Sequence, residues 1–130
     1  MSMESMALLT ERVIGAAYKV SNGLGCGFSE KPYENALAHQ LRIGGNRVEQ
    51  QKQFTLRYEG LVVGEFYADL VVEETLIVEL KAVDILTKSH IAQCLNYLRA
   101  TGLKDCLLIN FGNPRVEVRH IIPQNLRRGG

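Results

Sequence analysis

Residues 64–81, GEFYADLVVEETLIVELK, contain two apolar segments that are separated by the acidic run EET at residues 73–75. β-Branched and aromatic residues favour strands in both segments, and the run between them predicts a turn, so the stretch predicts a β-hairpin. Pairing of the two strands would bring Asp69, Glu79 and Lys81 to one patch of the sheet, among apolar neighbours. Because an unpaired charge in apolar surroundings is costly, we interpret this patch as a candidate site.

Side chains of a strand alternate between its two faces, and this rule predicts how the hairpin divides. In the first strand, one face carries Glu65, Tyr67, Asp69 and Val71. The opposite face carries Phe66, Ala68, Leu70 and Val72. In the second strand, one face carries Ile77, Glu79 and Lys81, and the other carries Leu76, Val78 and Leu80. We therefore expect each strand to present its charged residues on one face.

The rest of the chain predicts helices before and after the hairpin and further strands beside it. Apolar residues at helical spacing predict three helices, at residues 8–20, at about 30–43, and from a cap at Thr87 or Ser89 to about residue 100. We expect glycine-containing stops at residues 22–23, 44–45 and 102. Strands are expected at residues 48–58, 107–111 and 116–120. The sequence therefore predicts an α/β fold: a single domain over residues 1–130, with its core at about 8–122, in which helices flank a central mixed β-sheet.

Composition and charge are those of an ordinary globular domain. The chain has 130 residues, of which 46% are hydrophobic and 22% charged, enough for one core. It has no long apolar run and no signal-like start, so we expect a cytoplasmic protein without a membrane segment. A formal net charge of +1 does not by itself indicate a nucleic-acid partner. Nucleic-acid binding would then rest on a local site, or on a multimer that gathers basic patches. The stretch 115–128 is basic, but a solvated strand edge and tail explain its charge equally well.

Asp69 and Glu79 are candidate ligands of a hard divalent cation. Mg²⁺ prefers oxygen ligands and often takes one or two carboxylates together with a phosphate. The backbone carbonyl of Leu80 could add an oxygen, and Glu34 could approach from the second helix, where it shares a face with apolar residues. A cation held there would polarise a phosphoryl oxygen and orient water for attack. These residue types in this pattern therefore indicate metal-assisted attack on a phosphate.

Other polar residues near the hairpin have candidate roles beside simpler ones. Lys81 is two residues from Glu79 and can position the water or stabilise charge on the phosphate, although charged strand residues often only face solvent. Gln93 and Tyr97, one helical turn apart, can hold a substrate backbone or orient a ligand, or they can be packing residues. For Glu30, in the first turn of the second helix, the simplest role is stabilisation through the helix dipole. The residues alone leave these alternatives open.

The order of these motifs resembles that of a known nuclease superfamily. Asp69, then ELK at residues 79–81 on a hairpin, then Gln93-x-x-x-Tyr97 on the next helix resemble the PD-(D/E)XK nuclease superfamily, in the branch whose members carry a Q-x-x-x-Y helix. Ala68 stands where the superfamily's name has proline. A closer resemblance, over roughly residues 14–122, is to the small bacterial GxxExxY proteins. It is carried by GFSEKPY at residues 27–33, VELKA at 78–82 and LNYLRATG at 95–102.

The resemblance implies a restriction-endonuclease-like core with a site that depends on Mg²⁺ or Mn²⁺. In such a core Asp69 and Glu79 would be metal ligands, and Lys81 would be the catalytic lysine. Glu34 or Glu30 would be the helix acid that completes the site. The accessory motif would consist of Gln93 and Tyr97.

Two functions in different classes follow. The first is a Mg²⁺- or Mn²⁺-dependent nuclease that hydrolyses phosphodiester bonds of DNA or RNA. The second is a non-catalytic protein that retains the nuclease-like fold, as a homo-oligomeric assembly or as a partner-binding protein. Small size and near-neutral charge favour the second, because they leave little surface to hold a duplex. A third alternative is a subunit whose specificity comes from another chain.

Overall fold

The computed structural model describes residues 2–123, so residue 1 and residues 124–130, with the end of the basic stretch 115–128, lie outside the described residues. The elements in chain order are α1 (Met3–Leu24), α2 (Glu30–Ile43), β1 (Val48–Tyr58), β2 (Leu61–Val72), β3 (Leu76–Lys81), α3 (Lys88–Thr101), β4 (Asp105–Asn110) and β5 (Glu117–Ile121). None of the described helices is long and apolar enough to cross a membrane. The predicted α/β fold is confirmed.

The strands form one five-stranded mixed sheet in the order β1-β2-β3-β4-β5. β3 and β4 run parallel, whereas the other neighbouring strands are antiparallel. Parallel neighbours need a long crossover connection, and α3 supplies it. Core residues of α1 and α2, such as Val13 and Leu37, lie on one face of the sheet. Leu98 of α3 lies in the core on the opposite face, so the sheet is the middle of three layers.

Helix ends follow the predicted caps in two helices and differ in the third. α2 occupies the residues predicted for it. α3 begins after Thr87, whose Oγ1 accepts the His90 N–H while His90 Nδ1 accepts the Thr87 N–H, and ends at left-handed Gly102. The predicted end of α1 at residues 22–23 is wrong: the helix runs to Leu24, and Gly25, with a φ of 75°, caps it. A glycine inside a helix costs only about 1 kcal/mol, so the helix continues through it.

Strand β2 does not keep one alternation along its whole length. Leu70 lies in the core on the α1 and α2 side, whereas Ala68 lies in the core on the α3 side. The predicted shared face of Ala68 and Leu70 is therefore wrong, because the strand changes face at Asp69. In β1, Gln50 pairs with Leu70 and Lys52 pairs with Ala68, so Gln51 lies level with Asp69. Gln51 has a left-handed φ of 51°. A left-handed residue interrupts the pleat, and with it the strict alternation of faces.

Strands β2 and β3 separate at the level of Asp69. Within residues 2–123 their ladder joins residues 70–72 to residues 76–78 and stops there. β3 continues to Lys81 beside β4, while β2 stays paired with β1 on both sides of Asp69. Separation leaves backbone N–H groups outside the ladder, and buried N–H groups need another acceptor. We call this separation the fork, and the predicted acidic residues lie in it.

Candidate active site

The carboxylates of Asp69 and Glu79 fill the fork between β2 and β3. Glu79 Oε2 accepts the backbone N–H of Asp69 at 2.8 Å, and Asp69 Oδ2 accepts the backbone N–H of Leu80 at 2.8 Å. The acids thus supply acceptors to N–H groups that leave the ladder. The two acids come together, as their strand positions predicted, and their role as metal ligands stays a prediction.

Glu79 is deeply buried, with 3% of its surface exposed. Burial raises the pKa of Glu79 to about 8, and the nearby Asp69 carboxylate acts in the same direction. The Asp69 N–H and the Lys81 ammonium favour the charged form but do not offset burial. Among the described residues, none donates a hydrogen bond to the second oxygen, Oε1. Glu79 therefore keeps its proton in most molecules at pH 7, and a cation beside it would favour release of that proton.

Glu34 reaches the fork from α2, as its inward position on the helix predicted. It is 3% exposed, and both of its carboxylate oxygens accept hydrogen bonds. Gln50 Nε2 donates to Oε2 at 2.8 Å, and Lys31 Nζ forms a salt bridge with Oε1 at 3.1 Å. Gln51 Nε2 donates to Oε1 at 2.9 Å and also to Asp69 Oδ1 at 3.1 Å. One amide group therefore connects the helix acid to the strand acid.

Gln50 and Gln51 are site residues that the sequence pattern does not identify. Consecutive residues of a regular strand point to opposite faces, so the pattern predicts that at most one of the two reaches the site. Because Gln51 is left-handed, both amides contact Glu34. Glutamine is not a residue type that favours this conformation, so composition gives no signal for it. The sequence feature that could have identified them is the pair of consecutive glutamines, on a strand that neighbours the one with Asp69.

Glu30 lies at the mouth of the site, and Glu34 lies inside it. Glu30 is exposed in the first turn of α2, and it forms no hydrogen bond or ion pair with the described residues. An open cleft of about 610 Å³ is lined by Ser29, Glu30, Lys31, Glu34, Gln51, Asp69 and Ala82. Because Glu34 is the acid that is connected to Asp69, it is the stronger candidate for the helix acid.

Lys81, Gln93 and Tyr97 form a hydrogen-bonded row on the α3 side of the fork. Lys81 Nζ donates to Gln93 Oε1 at 3.4 Å, and Gln93 Nε2 donates to Tyr97 Oη at 3.1 Å. The Tyr97 ring stacks on Phe66 with centroids 4.2 Å apart. Burial, followed by the charge of Glu79, raises the pKa of Tyr97, so its phenol stays protonated at neutral pH. Within residues 2–123 the Lys81 ammonium forms no ion pair with either strand acid, and its hydrogen bond is to α3.

The donor set of the fork fits a hard divalent cation. Carboxylates suit Mg²⁺ or Mn²⁺, whereas softer metal ions prefer sulfur or imidazole ligands. In residues 2–123, no three His, Cys, Asp or Glu side chains converge into a group that could hold a metal ion. The amide of Gln51 stands between the oxygens of Glu34 and Asp69. A cation shared by these two acids therefore requires this amide to move, and the Leu80 carbonyl stays a predicted ligand.

Comparison with known proteins places the chain in a family. A protein-family model described as the PD-(D/E)XK nuclease superfamily matches residues 7–121, which include every candidate residue named above. Searches of curated proteins and of solved structures give no significant match. The family match extends over most of the chain and agrees with the superfamily that the motifs predicted. The chain therefore belongs to the PD-(D/E)XK nuclease superfamily.

Proposed function

We propose that this protein is a divalent-metal-dependent nuclease that hydrolyses phosphodiester bonds of DNA or RNA. The observation that carries the proposal is the fork, where the carboxylates of Asp69 and Glu79 meet beside buried Glu34. Burial and the neighbouring Asp69 carboxylate raise the pKa of Glu79, and a cation bound there would favour the charged form of both acids. Membership in the superfamily supports nucleic acid as the substrate.

We also propose that the protein is a member of the GxxExxY branch, whose motif covers residues 27–33. Gly27 takes a φ of 115°, a conformation suited to glycine. Tyr33 is fully buried, stacks on Phe111 with centroids 4.6 Å apart, and donates its O–H to the Gly25 carbonyl at 2.6 Å. These contacts hold the loop before α2 and the first turn of that helix. The motif thereby supports the placement of Glu34, the residue after its tyrosine.

The proposed cation is Mg²⁺ or Mn²⁺, held by Asp69, Glu79 and Glu34 with the Leu80 carbonyl. When bound, it supplies Lewis acidity at the phosphodiester and activates water. The protein's part is to hold the acids in place. Strand N–H groups bind Asp69 and Glu79, and the Gln50 amide binds Glu34.

Lys81 is the proposed catalytic lysine, and its ammonium would stabilise the negative charge that builds up on the phosphate. Gln93 accepts a hydrogen bond from Lys81 and donates one to Tyr97. Stacking on Phe66 holds the Tyr97 ring. Gln93 and Tyr97 are therefore positioning residues, which direct the lysine toward the substrate.

Cleavage assays with matched variants test the nuclease. Purified protein is incubated with labelled single- and double-stranded DNA and RNA in Mg²⁺, in Mn²⁺ and in EDTA. We expect cleavage with a metal ion, none in EDTA, and strong loss of cleavage in Lys81→Ala and Glu79→Ala. Lys19→Ala, exposed on α1, is the matched control and should cleave like the wild type. Absence of cleavage with both metals, or cleavage that both site variants leave unchanged, would contradict the proposal.

A homo-oligomeric or partner-binding protein without catalysis is the second candidate, and the tip of the β1–β2 hairpin favours it. This tip exposes large apolar side chains, with Tyr58 at 65%, Leu61 at 67% and Val63 at 52%. Exposed apolar patches of this kind often mark protein contacts. Light scattering with and without chelator tests it: an oligomer that Leu61→Lys dissociates, and that does not cut, supports this candidate. A monomer that cuts nucleic acid with Mn²⁺ contradicts it.

A further inference from the structure

The amide of Gln51 lies between two of the carboxylates to which we assign the cation. Its Nε2 is 2.9 Å from Glu34 Oε1 and 3.1 Å from Asp69 Oδ1. These acids belong to different elements, α2 and β2, and the two N–H bonds of one amide join them. The hydrogens of an NH₂ group carry partial positive charge, so they satisfy the facing carboxylates much as a small cation would.

The amide and a shared cation require the same two oxygens. Mg²⁺ holds its oxygen ligands at about 2.0–2.1 Å, closer than a hydrogen-bonding nitrogen, so on the Gln51 side it needs the lone pairs to which the amide donates. Glu34 Oε1 and Asp69 Oδ1 both face the Gln51 nitrogen across that space. A cation that binds both oxygens must therefore displace the amide.

The backbone of Gln51 directs its side chain into this space. Its φ of 51° lies in the left-handed region, in the middle of β1, and a non-glycine residue takes this conformation only at a cost. Gln50 and Lys52, on either side, pair regularly with β2. At this level of β1 the left-handed backbone is thus confined to one residue. Hydrogen bonds to two carboxylates offset its cost.

Glu34 and Asp69 keep other partners if the Gln51 amide leaves. Gln50 Nε2 still holds Glu34 Oε2 at 2.8 Å, and Lys31 Nζ still reaches Oε1 at 3.1 Å. Asp69 Oδ2 still accepts a strand N–H at 2.8 Å. Displacement of the amide therefore frees Asp69 Oδ1 and leaves Glu34 Oε1 with Lys31 alone, without detaching either acid from its element.

We propose that the Gln51 amide and a divalent cation compete for the position between Glu34 and Asp69. Gln51 then holds the two carboxylates together until the cation binds, and it lowers the affinity of the site. The inference rests on the proposed function, which supplies the cation. The effect of removing the Gln51 side chain distinguishes this role from others. Loss of a metal ligand or of a structural support would weaken cation binding, whereas loss of a competitor strengthens it.

Calorimetric titration of MnCl₂ into the full chain, after treatment with EDTA and dialysis, tests the competition. We expect the Kd for Mn²⁺ to fall about tenfold in Gln51→Ala, because two hydrogen bonds to charged groups no longer have to break. In EDTA, Gln51→Ala should melt below the wild type, because the two acids lose their shared donor. Gln51→Gly also removes the amide but relieves the left-handed backbone, so equal tightening in both variants assigns the effect to the amide. Gln53→Ala, at an exposed position of the same strand, is the control and should change neither measurement.

The outcomes separate this inference from the proposed function. If the wild type binds Mn²⁺ and Gln51→Ala binds it equally or more weakly, the competition is overturned and the metal site stands. Tightening in Gln51→Gly alone also overturns the competition, because it traces the effect to backbone strain. If neither the wild type nor the Gln51 variants bind Mn²⁺, the proposed metal site fails, and the competition fails with it.

Discussion

Glu79 Oε2 accepts the backbone N–H of Asp69 at 2.8 Å, and the Asp69 carboxylate accepts the N–H of the residue after Glu79 at the same distance. The two acids thus exchange hydrogen bonds across the fork, where a regular ladder pair would exchange backbone bonds. They are parts of the sheet as well as of the candidate site. Variants that keep an acceptor, such as Asp69→Asn and Glu79→Gln, therefore separate chemistry from folding better than alanine does.

Lys81→Ala should remove nuclease activity and leave the fold intact. Within the part of the chain that the structure describes, its side chain makes one long hydrogen bond, to Gln93 at 3.4 Å, so little stability is lost with it. Loss of a positioned charge beside the phosphate should lower kcat by about 100-fold or more. Initial rates with Mn²⁺, measured beside a melting curve, check both parts. Activity within a few fold of the wild type would show that Lys81 is not the catalytic lysine.

The raised pKa of Glu79 should make stability depend on pH. The folded protein keeps the Glu79 proton up to about pH 8, whereas the unfolded chain loses it near 4.5. Between these two pH values the folded state binds more protons than the unfolded chain. The stability that depends on the Glu79 proton is therefore fully present below pH 4.5 and is lost as pH rises through about 8. Melting curves in EDTA at intervals across this window measure it, and each kcal/mol corresponds to roughly 4 °C.

Glu79→Gln is the control for this pH dependence, because its amide is neutral at every pH and similar in size. In the wild type, stability should fall as pH rises, and the variant should lose the part of that fall that is due to Glu79. Other titrating groups act equally in both proteins. The difference in melting temperature between the two proteins should therefore change steadily as pH rises from about 4.5 to about 8. If plots of melting temperature against pH are parallel for the two proteins, Glu79 is charged in the folded protein well below pH 8.

Mn²⁺ should stabilise the folded chain through Asp69. A ligand that binds only the folded state adds about 2.7 kcal/mol to the free energy of unfolding at a hundred times its Kd. Asp69→Asn keeps an oxygen acceptor for the Leu80 N–H but loses the charge, so it should lose most of this stabilisation. Glu65→Gln, exposed on the same strand, should keep it. Thermal denaturation with MnCl₂ and with EDTA compares the three proteins; an equal shift in all of them would place the cation elsewhere.

Gly112→Ala should destabilise the fold near the end of β3. A methyl group at Gly112 would overlap the backbone of Val83, with its carbonyl oxygen nearest. Fully buried Asn110 ties these segments together, because its Oδ1 accepts the N–H groups of Val83 and Gly112. We expect a loss of more than about 2 kcal/mol in denaturant unfolding. Gly15→Ala has open space and a helical position, so it should instead raise stability by about 0.5–1 kcal/mol.

The sequence could predict the elements that depend on local signals, and α2 and the hairpin show this. Apolar spacing and the glycines after residue 43 are sufficient to bound α2, and the turn at residues 73–75 sets the register that brings Asp69 to Glu79. The conformation of Gln51 could not be predicted in this way. It depends on hydrogen bonds to Glu34 and Asp69, which are 17 and 18 residues distant along the chain. Strand alternation assumes a regular neighbouring strand, so it cannot predict the face change of β2 at Asp69 either.

Tyr97→Phe should separate positioning of the lysine from packing of the core. The variant keeps the ring that stacks on Phe66 but loses the oxygen that accepts from Gln93 Nε2, so stability should change little. Gln93 then loses its partner on α3, and Lys81 loses a fixed acceptor. Loss of such a supporting contact typically lowers activity roughly tenfold, and we expect it in kcat with KM nearly unchanged.

Gln93→Ala removes the middle member of the row and should lower kcat at least as much as Tyr97→Phe does. If the row acts only through Lys81, the double variant with Lys81→Ala should be no slower than Lys81→Ala alone, because the two effects are not independent. Steady-state rates of the single and double variants in Mn²⁺ measure this coupling. Additive losses would mean that Gln93 acts on the substrate directly and that the row does not position Lys81.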